Sequence, residues 1–207
     1  MPSDRKLRRF IRQWCRRYPL PSDWVDDRAN KQLRRSEARW LAPFEGAEWL
    51  KRRQVKALIE WRCGDETTRR ELALAGIDGP ASWGRMQRAI KGALQEKSPT
   101  EALDRLLSDK HGFTGWGPGM ASTVLAACRP KAYVVADERA LRTLSALGLL
   151  VPHSFEEFDR QDWWPYLRTC RELSALSGVP LRSVHHALRA AADEAPKLPA
   201  RLGQGGT

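Results

Sequence analysis

The segment with the clearest chemical potential is a glycine-rich turn, Gly115-Trp116-Gly117-Pro118-Gly119, which lies between two predicted helices. Glycines allow positive φ angles and close backbone approach, so consecutive amides can point outward and bind an anion. The N-terminus of the following helix adds free N–H groups and the positive end of its dipole. A DNA phosphate suits such a site and would be bound without sequence readout. The alternative left open is a helix corner whose glycines serve packing alone.

The second candidate group is the carboxylate of Asp137, which follows this turn along the sequence. Asp137 comes 18 residues after Gly119 and begins a predicted helix that contains Arg139 and Arg142. Aspartate is a favoured N-cap residue, so Asp137 has a structural explanation.

Together these features resemble a known family. Residues 101–149 are similar to the helix-hairpin-helix superfamily of DNA base-excision glycosylases, in which a Gly-x-Gly hairpin joins two helices and an Asp later opens a helix containing an Arg. Gly115-Trp-Gly117-Pro118 with Ala121 looks most like the Gly-x-Gly-Pro-x-x-Ala form of the 3-methyladenine (alkylbase) branch. The similarity covers about 50 residues; on either side the chain agrees only in being predicted helical.

The resemblance implies a reaction. The superfamily's catalytic aspartate maps onto Asp137, where an anion would stabilise the oxocarbenium-like state formed as an N-glycosidic bond breaks. The target base must leave the stack and be read between aromatic and apolar side chains. Trp61, Arg62 and Trp163 are candidates for that pocket, although Arg62 at a helix end has a solvated position as its alternative and most tryptophans belong to cores.

The resemblance also implies DNA contacts around the hairpin. Arg139 and Arg142 follow Asp137, and we expect one to contact DNA and the other only to pair with an acid such as Glu138. His111 precedes the hairpin, where a phosphate contact and an interaction with the helix dipole are equally open. The predicted DNA-binding residues are Gly115, Trp116, Gly117, Gly119, Met120, Ala121, Arg139, Arg142 and His111.

Neither a lysine nucleophile nor a cofactor is expected. Strand-nicking members of the superfamily carry a Schiff-base lysine at the hairpin's end, where this chain has Gly119, so a monofunctional glycosylase is predicted. The four cysteines lie 48, 65 and 42 residues apart, which suits neither a zinc site nor an iron–sulfur cluster and predicts buried, reduced thiols. His185 and His186 are adjacent on a predicted helix and point about 100° apart, so no metal pair is expected.

The charge favours a polyanionic partner. The net charge is +11, with 17 basic and 8 acidic residues in the first 62 positions and 19 and 17 in the rest. Nucleic acid is the commonest such partner, although basic runs are also often solvated helix faces. No apolar run approaches 18 residues, so we expect no membrane span. We further expect a cytoplasmic protein that associates with the nucleoid when bound to DNA, and a monomer rather than an oligomer.

The elements that must position these groups are predicted to be helices. Apolar spacing, caps and breakers indicate an all-α, glycosylase-like fold of about eight to ten helices around a central cleft. We expect one domain over residues 1–193, made of a basic half (1–97), the hairpin and Asp segment (98–149) and returning helices (150–193), then a disordered tail (194–207). The first predicted helix begins near residue 7. The others cover about 22–41, 46–63, 82–96, 99–110, 118–128, 137–147, 163–176 and 181–192. Capping boxes are predicted at 98–101 and 154–157.

The sequence is compatible with three functions. The first is a monofunctional glycosylase, and the second is a non-catalytic helix-hairpin-helix DNA-binding protein. A buried Asp137 facing a pocket with aromatic walls would favour the enzyme, whereas an Asp137 fully engaged in capping, beside a filled cleft, would favour the binder. The third is a helical module for RNA or protein, for which a bulky residue at Gly117 would leave DNA affinity unchanged.

Overall fold

A computed structural model describes residues 2–17, 37–64, 66–107, 113–151, 155 and 158–197, without the side chains of 195–197. Several expectations lie outside these residues: the contact of His111, the first part of the helix predicted over 22–41, the capping box at 154–157 and the tail from 198 onward. Within the described part no residue lies in a β-strand, which confirms the all-α class. No helix in it is long and apolar enough to cross a membrane.

Nine α-helices and a closing 3-10 helix are complete within the described residues, and a short helical segment covers residues 37–41. The helices are α1 (Asp4–Arg17), α2 (Arg52–Cys63), α3 (Thr67–Ala75), α4 (Pro80–Gln95), α5 (Pro99–Leu107), α6 (Pro118–Cys128), α7 (Glu138–Ala146), α8 (Arg160–Ser177) and α9 (Leu181–Ala191), followed by the 3-10 helix Ala192–Lys197.

The chain divides into two compact units. We call Pro43–Ala136 with Asp159–Trp164 the central unit, and Met1–Ala42 with Asp137–Phe158 and Pro165–Thr207 the terminal unit. This division differs from the expected one, because residues 43–97 group with the hairpin and not with the N-terminus. The reason is that α2 and α4 pack on α6, so apolar faces rather than position along the chain decide the grouping.

Helix α6 forms the centre of the central unit. Every residue from Gly119 to Cys128 is buried, and α2, α4 and α5 pack around the helix. Its small side chains allow close approach of these neighbours. Its two buried hydroxyls, Ser122 and Thr123, both donate to the carbonyl of Gly119, at 3.1 and 2.7 Å. The buried hydroxyls of α6 thus have partners, as a packed interior requires.

The terminal unit confirms the amphipathic first helix. The four predicted apolar positions of α1, Leu7, Phe10, Ile11 and Trp14, are all buried, and α1 packs on α9. Part of its basic face has a structural use, because Arg8 and Arg12 donate to the last carbonyls of α8, at Leu176 and Ser177, both at 2.9 Å. Such contacts satisfy carbonyls that a helix end leaves unpaired.

Several boundaries differ from the sequence-based expectation. Helix α2 begins at Arg52 rather than near residue 46, and Gln54 Oε1 accepts the N–H of the preceding Lys51 at 2.9 Å. Helix α3 was not predicted at all. The expected disordered tail from 194 is also wrong at its start, because the 3-10 helix continues to Lys197.

Candidate nucleic-acid interface and Asp137

Gly115 occupies a position in the hairpin turn that only glycine can adopt. Gly115 has a φ of +76°, in the left-handed region that other residues rarely adopt. A Cβ there would lie 2.7 Å from Ala73 N and 2.9 Å from Leu72 C. Both are backbone atoms of α3 and cannot swing aside. The turn therefore needs glycine for its conformation and for the close approach of α3.

The side chain of Trp116 packs the turn against α3. Its ring is buried, and its Nε1 donates to Ala73 O of α3 at 3.3 Å. The ring of Phe113 lies 6.1 Å away at a tilted angle. The expectation of a DNA contact by the Trp116 side chain is corrected, because the indole is committed to packing the hairpin on α3.

The first turn of α6 presents unbonded amides. Gly117 is the N-cap, exposed and extended, with Pro118 at the first helical position. The amides of Met120 and Ala121 both donate to Gly117 O at 3.1 Å, and both side chains are buried. Within the described residues, the amides of Gly117 and Gly119 donate to no acceptor. Any contact of Met120 or Ala121 with DNA would thus involve the backbone alone.

Arg62 lies beside this first turn. Its Nη2 is 3.1 Å and its Nε 3.7 Å from the position of a Cβ at Gly119, and Nη2 donates to Ala136 O at 3.5 Å. The guanidinium thus fills the space where a side chain at 119 would begin. The prediction that Arg62 reads a base stays untested, but the structure brings it to the hairpin helix, within the central unit.

The residue before Asp137 is fixed to the same helix. Ser122 Oγ accepts the N–H of Ala136 at 2.7 Å while donating to Gly119 O. Ala136 is the last residue of the central unit, and Asp137 is the next residue in the chain. A buried hydroxyl on the hairpin helix therefore holds the last residue of the central unit.

Asp137 is both a cap and a member of an ion pair. Its Oδ1 accepts from the amides of Arg139 and Ala140 at 3.1 and 3.3 Å, which confirms the predicted N-cap. Its Oδ2 lies 3.4 Å from Arg189 Nε, with side-chain exposures of 7% for Asp137 and 33% for Arg189. Arg189 Nε is buried yet makes no hydrogen bond within the described residues, so we regard the pairing with Oδ2 as Coulombic.

The terminal unit contains a second carboxylate, that of Glu37, which contacts α9. Glu37 lies 3.3 Å from His186 Nε2. Burial alone would raise the pKa of Glu37, but the hydrogen bond and charge of His186, together with Arg182 and Arg189, outweigh burial and lower that pKa. Neither Glu37 nor Arg189 was among the site residues predicted from the sequence. The available signal was the spacing of His186 and Arg189, which places them on one helix face.

The two arginines after Asp137 have acidic partners. Arg142 Nη2 pairs with Glu138 Oε1 at 2.8 Å, one turn earlier on α7, as one of the two was expected to do. Arg139 Nη2 pairs with Asp193 Oδ2 at 2.6 Å, and its Nε donates to Arg189 O at 3.4 Å. Both side chains are about half exposed. A DNA contact by either remains a prediction.

The predicted base-pocket tryptophans differ in exposure. Trp163 is fully buried, and its Nε1 donates to Pro99 O at 3.2 Å. It offers no face to a base, so that expectation is corrected. Trp61 is 38% exposed and Trp164 39% exposed, and the role of Trp61 stays a prediction.

An open groove of about 780 Å³ runs beside the hairpin within the central unit. Helix α3, which the sequence did not reveal, supplies one side of it and the hairpin supplies the other. Its lining is mixed, with hydroxyls, one ion pair between Arg69 and Glu66 at 2.7 Å, and apolar surface. The groove is lined by Glu66, Thr67, Thr68, Arg69, Leu72, Phe113, Gly115, Trp116 and Gly117.

The cysteines are free thiols. Cys63, Cys128 and Cys170 are buried and Cys15 is half-buried. Burial raises the pKa of Cys128 to about 12 and that of Cys170 also to about 12. Among the described residues no group of three or more His, Cys, Asp or Glu side chains is arranged to hold a metal ion.

Comparison with known proteins adds no relative. No protein-family model matches the chain, and neither the curated proteins nor the solved structures gave a match.

Proposed function

We propose that this protein binds DNA through the hairpin of residues 113–119 and excises a flipped, damaged or modified base as a monofunctional N-glycosylase. The observation that carries the proposal is the first turn of α6, where the amide of the exposed Gly117 donates to no acceptor among the described residues and the guanidinium of Arg62 lies beside Gly119, two residues further on. Amides at a helix N-terminus and an arginine suit a phosphate oxygen by dipole, hydrogen bonding and charge.

The exposure of the hairpin and the net charge of the chain support DNA as the anion. Gly117 is exposed, and an added Cβ there would meet no atom within 4 Å, so a phosphate can approach its amide. The adjoining groove gives the flanking backbone room. The net charge of +11 favours a long polyanion over a single small anion.

Asp137 is assigned the chemistry. Its carboxylate would stabilise positive charge on the sugar as the C1′–N bond breaks, with the electron pair leaving on the base, which takes up a proton from solvent. The oxygen of a water then bonds to C1′ and gives a proton to the carboxylate. Support for this assignment comes from the resemblance of residues 101–149 to the glycosylase superfamily and from the cap, which orients the Asp137 carboxylate through the amides of Arg139 and Ala140.

A second candidate is a non-catalytic DNA-binding protein. The specific observation in its favour is that both oxygens of Asp137 have partners, Oδ1 in the cap and Oδ2 beside Arg189. In that case the hairpin would bind phosphate as proposed while Asp137 served only to begin α7.

DNA binding is tested with a fluorescent duplex titrated at several salt concentrations. Affinity should fall steeply with salt, because phosphate contacts release counterions, and Arg62→Gln should reduce the slope of log K against log salt by about one. Arg168→Gln is the matched control, since Arg168 is exposed and paired with Glu172 outside the hairpin. A flat salt response, or equal slopes for both variants, contradicts the proposed phosphate site.

A steric test targets the hairpin itself. Gly117→Leu should fold normally because the space is open, and should weaken DNA binding because the side chain covers the amide. Gly84→Leu is the control on α4, where a Cβ makes only an ordinary 3.6 Å contact with Arg88 Nη1. Unchanged affinity of Gly117→Leu would favour the third class, a module for RNA or protein.

Excision is tested with oligonucleotides carrying alkylated, oxidised or deaminated bases, read out as abasic sites cleaved by alkali. The wild-type protein should release at least one class of base, and Asp137→Asn should abolish release while DNA binding persists. Activity that survives in Asp137→Asn removes Asp137 from the mechanism. Tight DNA binding without release from any of the three classes supports the non-catalytic candidate.

A further inference from the structure

Arg189 acts on two carboxylates in the terminal unit. Its Nε lies 3.4 Å from Asp137 Oδ2, and its positive charge also contributes to the lowered pKa of Glu37. Glu37 in turn pairs with His186 at 3.3 Å. Arg189 is therefore a cation that acts on both Asp137 and Glu37.

The backbone of Arg189 is also held in place. Arg139 Nε donates to Arg189 O at 3.4 Å, and Arg139 Nη2 reaches Asp193 on the 3-10 helix at 2.6 Å. The last turn of α9 is thus connected to the first turn of α7, the helix that Asp137 caps. This connection limits how far Arg189 can move away from the carboxylate.

The two oxygens of Asp137 have different partners. Oδ1 is used by the helix cap, which orients the carboxylate through two backbone amides. Oδ2 lies 3.4 Å from Arg189 Nε. It is the oxygen that can stabilise positive charge on a sugar while Oδ1 keeps its hydrogen bonds in the cap. Because the side chain is only 7% exposed, water can do little to stabilise its charge, and a buried carboxylate without compensation favours the neutral form.

We propose that Arg189 is a positioning residue for the excision reaction: it keeps Asp137 ionised in its buried setting and fixes the direction of Oδ2. This inference rests on the proposed function. The charge of Arg189 also acts on Glu37 and contributes to its lowered pKa. The charged or titratable groups on the described elements packed against α7 include Arg182, His185, His186 and Arg189 on α9 and Asp193 and Glu194 on the 3-10 helix. Glu138, Arg139 and Arg142 lie on α7 itself, and Glu37 pairs with His186.

The pairing is tested first without DNA, by a double-mutant cycle on the full chain. Arg189→Leu, Asp137→Asn and the double variant are unfolded with urea near neutral pH. The effects of the two single changes should not add, because each removes the same interaction. Arg182→Leu with Asp137→Asn is the matched control, since Arg182 is on the same helix and acts on Glu37, and its cycle should be additive.

The role in the reaction is tested by the pH dependence of base release from the alkylated, oxidised or deaminated oligonucleotide that the wild type processes. In Arg189→Leu the acid limb of kcat/KM should move upward by about one to three pH units, the effect of losing an opposite charge beside a carboxylate. Arg189→Lys should restore most of the wild-type position, and Arg182→Leu should leave the limb where it is. A merely structural role would lower activity equally at every pH.

The outcomes separate the two claims. A wild-type protein that releases no base overturns the proposed function and the inference with it. Base release together with an additive Arg189–Asp137 cycle, or with an acid limb that does not move in Arg189→Leu, overturns the inference alone. Coupling in the cycle together with a shifted limb that lysine restores supports it.

Discussion

Replacing Gly115 by alanine tests how the hairpin is built, without any assumption about function. The residue has a φ of +76°, and a Cβ would lie 2.7 Å from Ala73 N and 2.9 Å from Leu72 C. The left-handed conformation costs an alanine about 1–2 kcal/mol. Crowding against backbone that cannot rotate away adds about 1–3 kcal/mol. We therefore expect Gly115→Ala to lower the free energy of unfolding by about 2–5 kcal/mol.

Two other glycines separate these contributions. Gly46 has a φ of +79° but nothing within 4 Å of an added Cβ, so Gly46→Ala carries the conformational cost alone. Gly117 has an ordinary φ and open space, so Gly117→Ala changes only the N-cap and should cost less than about 1 kcal/mol. The expected order of destabilisation is Gly115→Ala, then Gly46→Ala, then Gly117→Ala.

The assay is urea denaturation followed by circular dichroism and tryptophan fluorescence. For a chain of this size, a loss of 3 kcal/mol should also lower the melting temperature by about 6–12 °C. If Gly115→Ala costs no more than Gly46→Ala, the close approach of α3 to the turn is refuted. If Gly117→Ala is the most damaging of the three, the description of the α6 N-terminus is wrong as well.

Three further expectations follow from buried groups. Ser122→Ala should destabilise the protein by about 1–3 kcal/mol in urea denaturation, because it leaves a buried amide unpaired; a neutral result would argue against that hydrogen bond. Since the pKa of Glu37 is lowered in the folded state, its ionised form contributes stability above the unfolded pKa of about 4.3, and this contribution is lost as pH falls through the folded pKa. The stability difference between wild type and Glu37→Gln should accordingly shrink below about pH 4, and a constant difference would contradict the assignment. Alkylation at pH 8, followed by mass spectrometry, should modify Cys15 before Cys128 and Cys170, whose pKa of about 12 leaves about one thiol in 10⁴ ionised; rapid modification of either buried thiol would show that its site opens.

Local sequence signals predicted those elements whose residues carry the signal themselves. The stripe Leu7, Phe10, Ile11 and Trp14 predicted the buried face of α1, and Asp137 predicted the start of α7, because helical periodicity and capping involve residues within a few positions of one another. Helix α3 has no such signal. Its N-cap, Glu66, makes no side-chain cap, and Ala73 alone of its nine residues is buried. It is stabilised by neighbours that the local sequence does not contain.

The candidate site divides in the same way. The glycine turn, the helix start at Gly117 and the carboxylate at Asp137 were determined by the sequence alone, because each depends on backbone conformations that particular residue types favour. The tertiary structure decided that Trp116 is buried under the turn, that Arg62 fills the space above Gly119, and that Arg189 stands beside Asp137. These partners are 43, 57 and 52 residues apart in the chain. Such contacts depend on how whole helices pack, and no short-range pattern of residues encodes that packing.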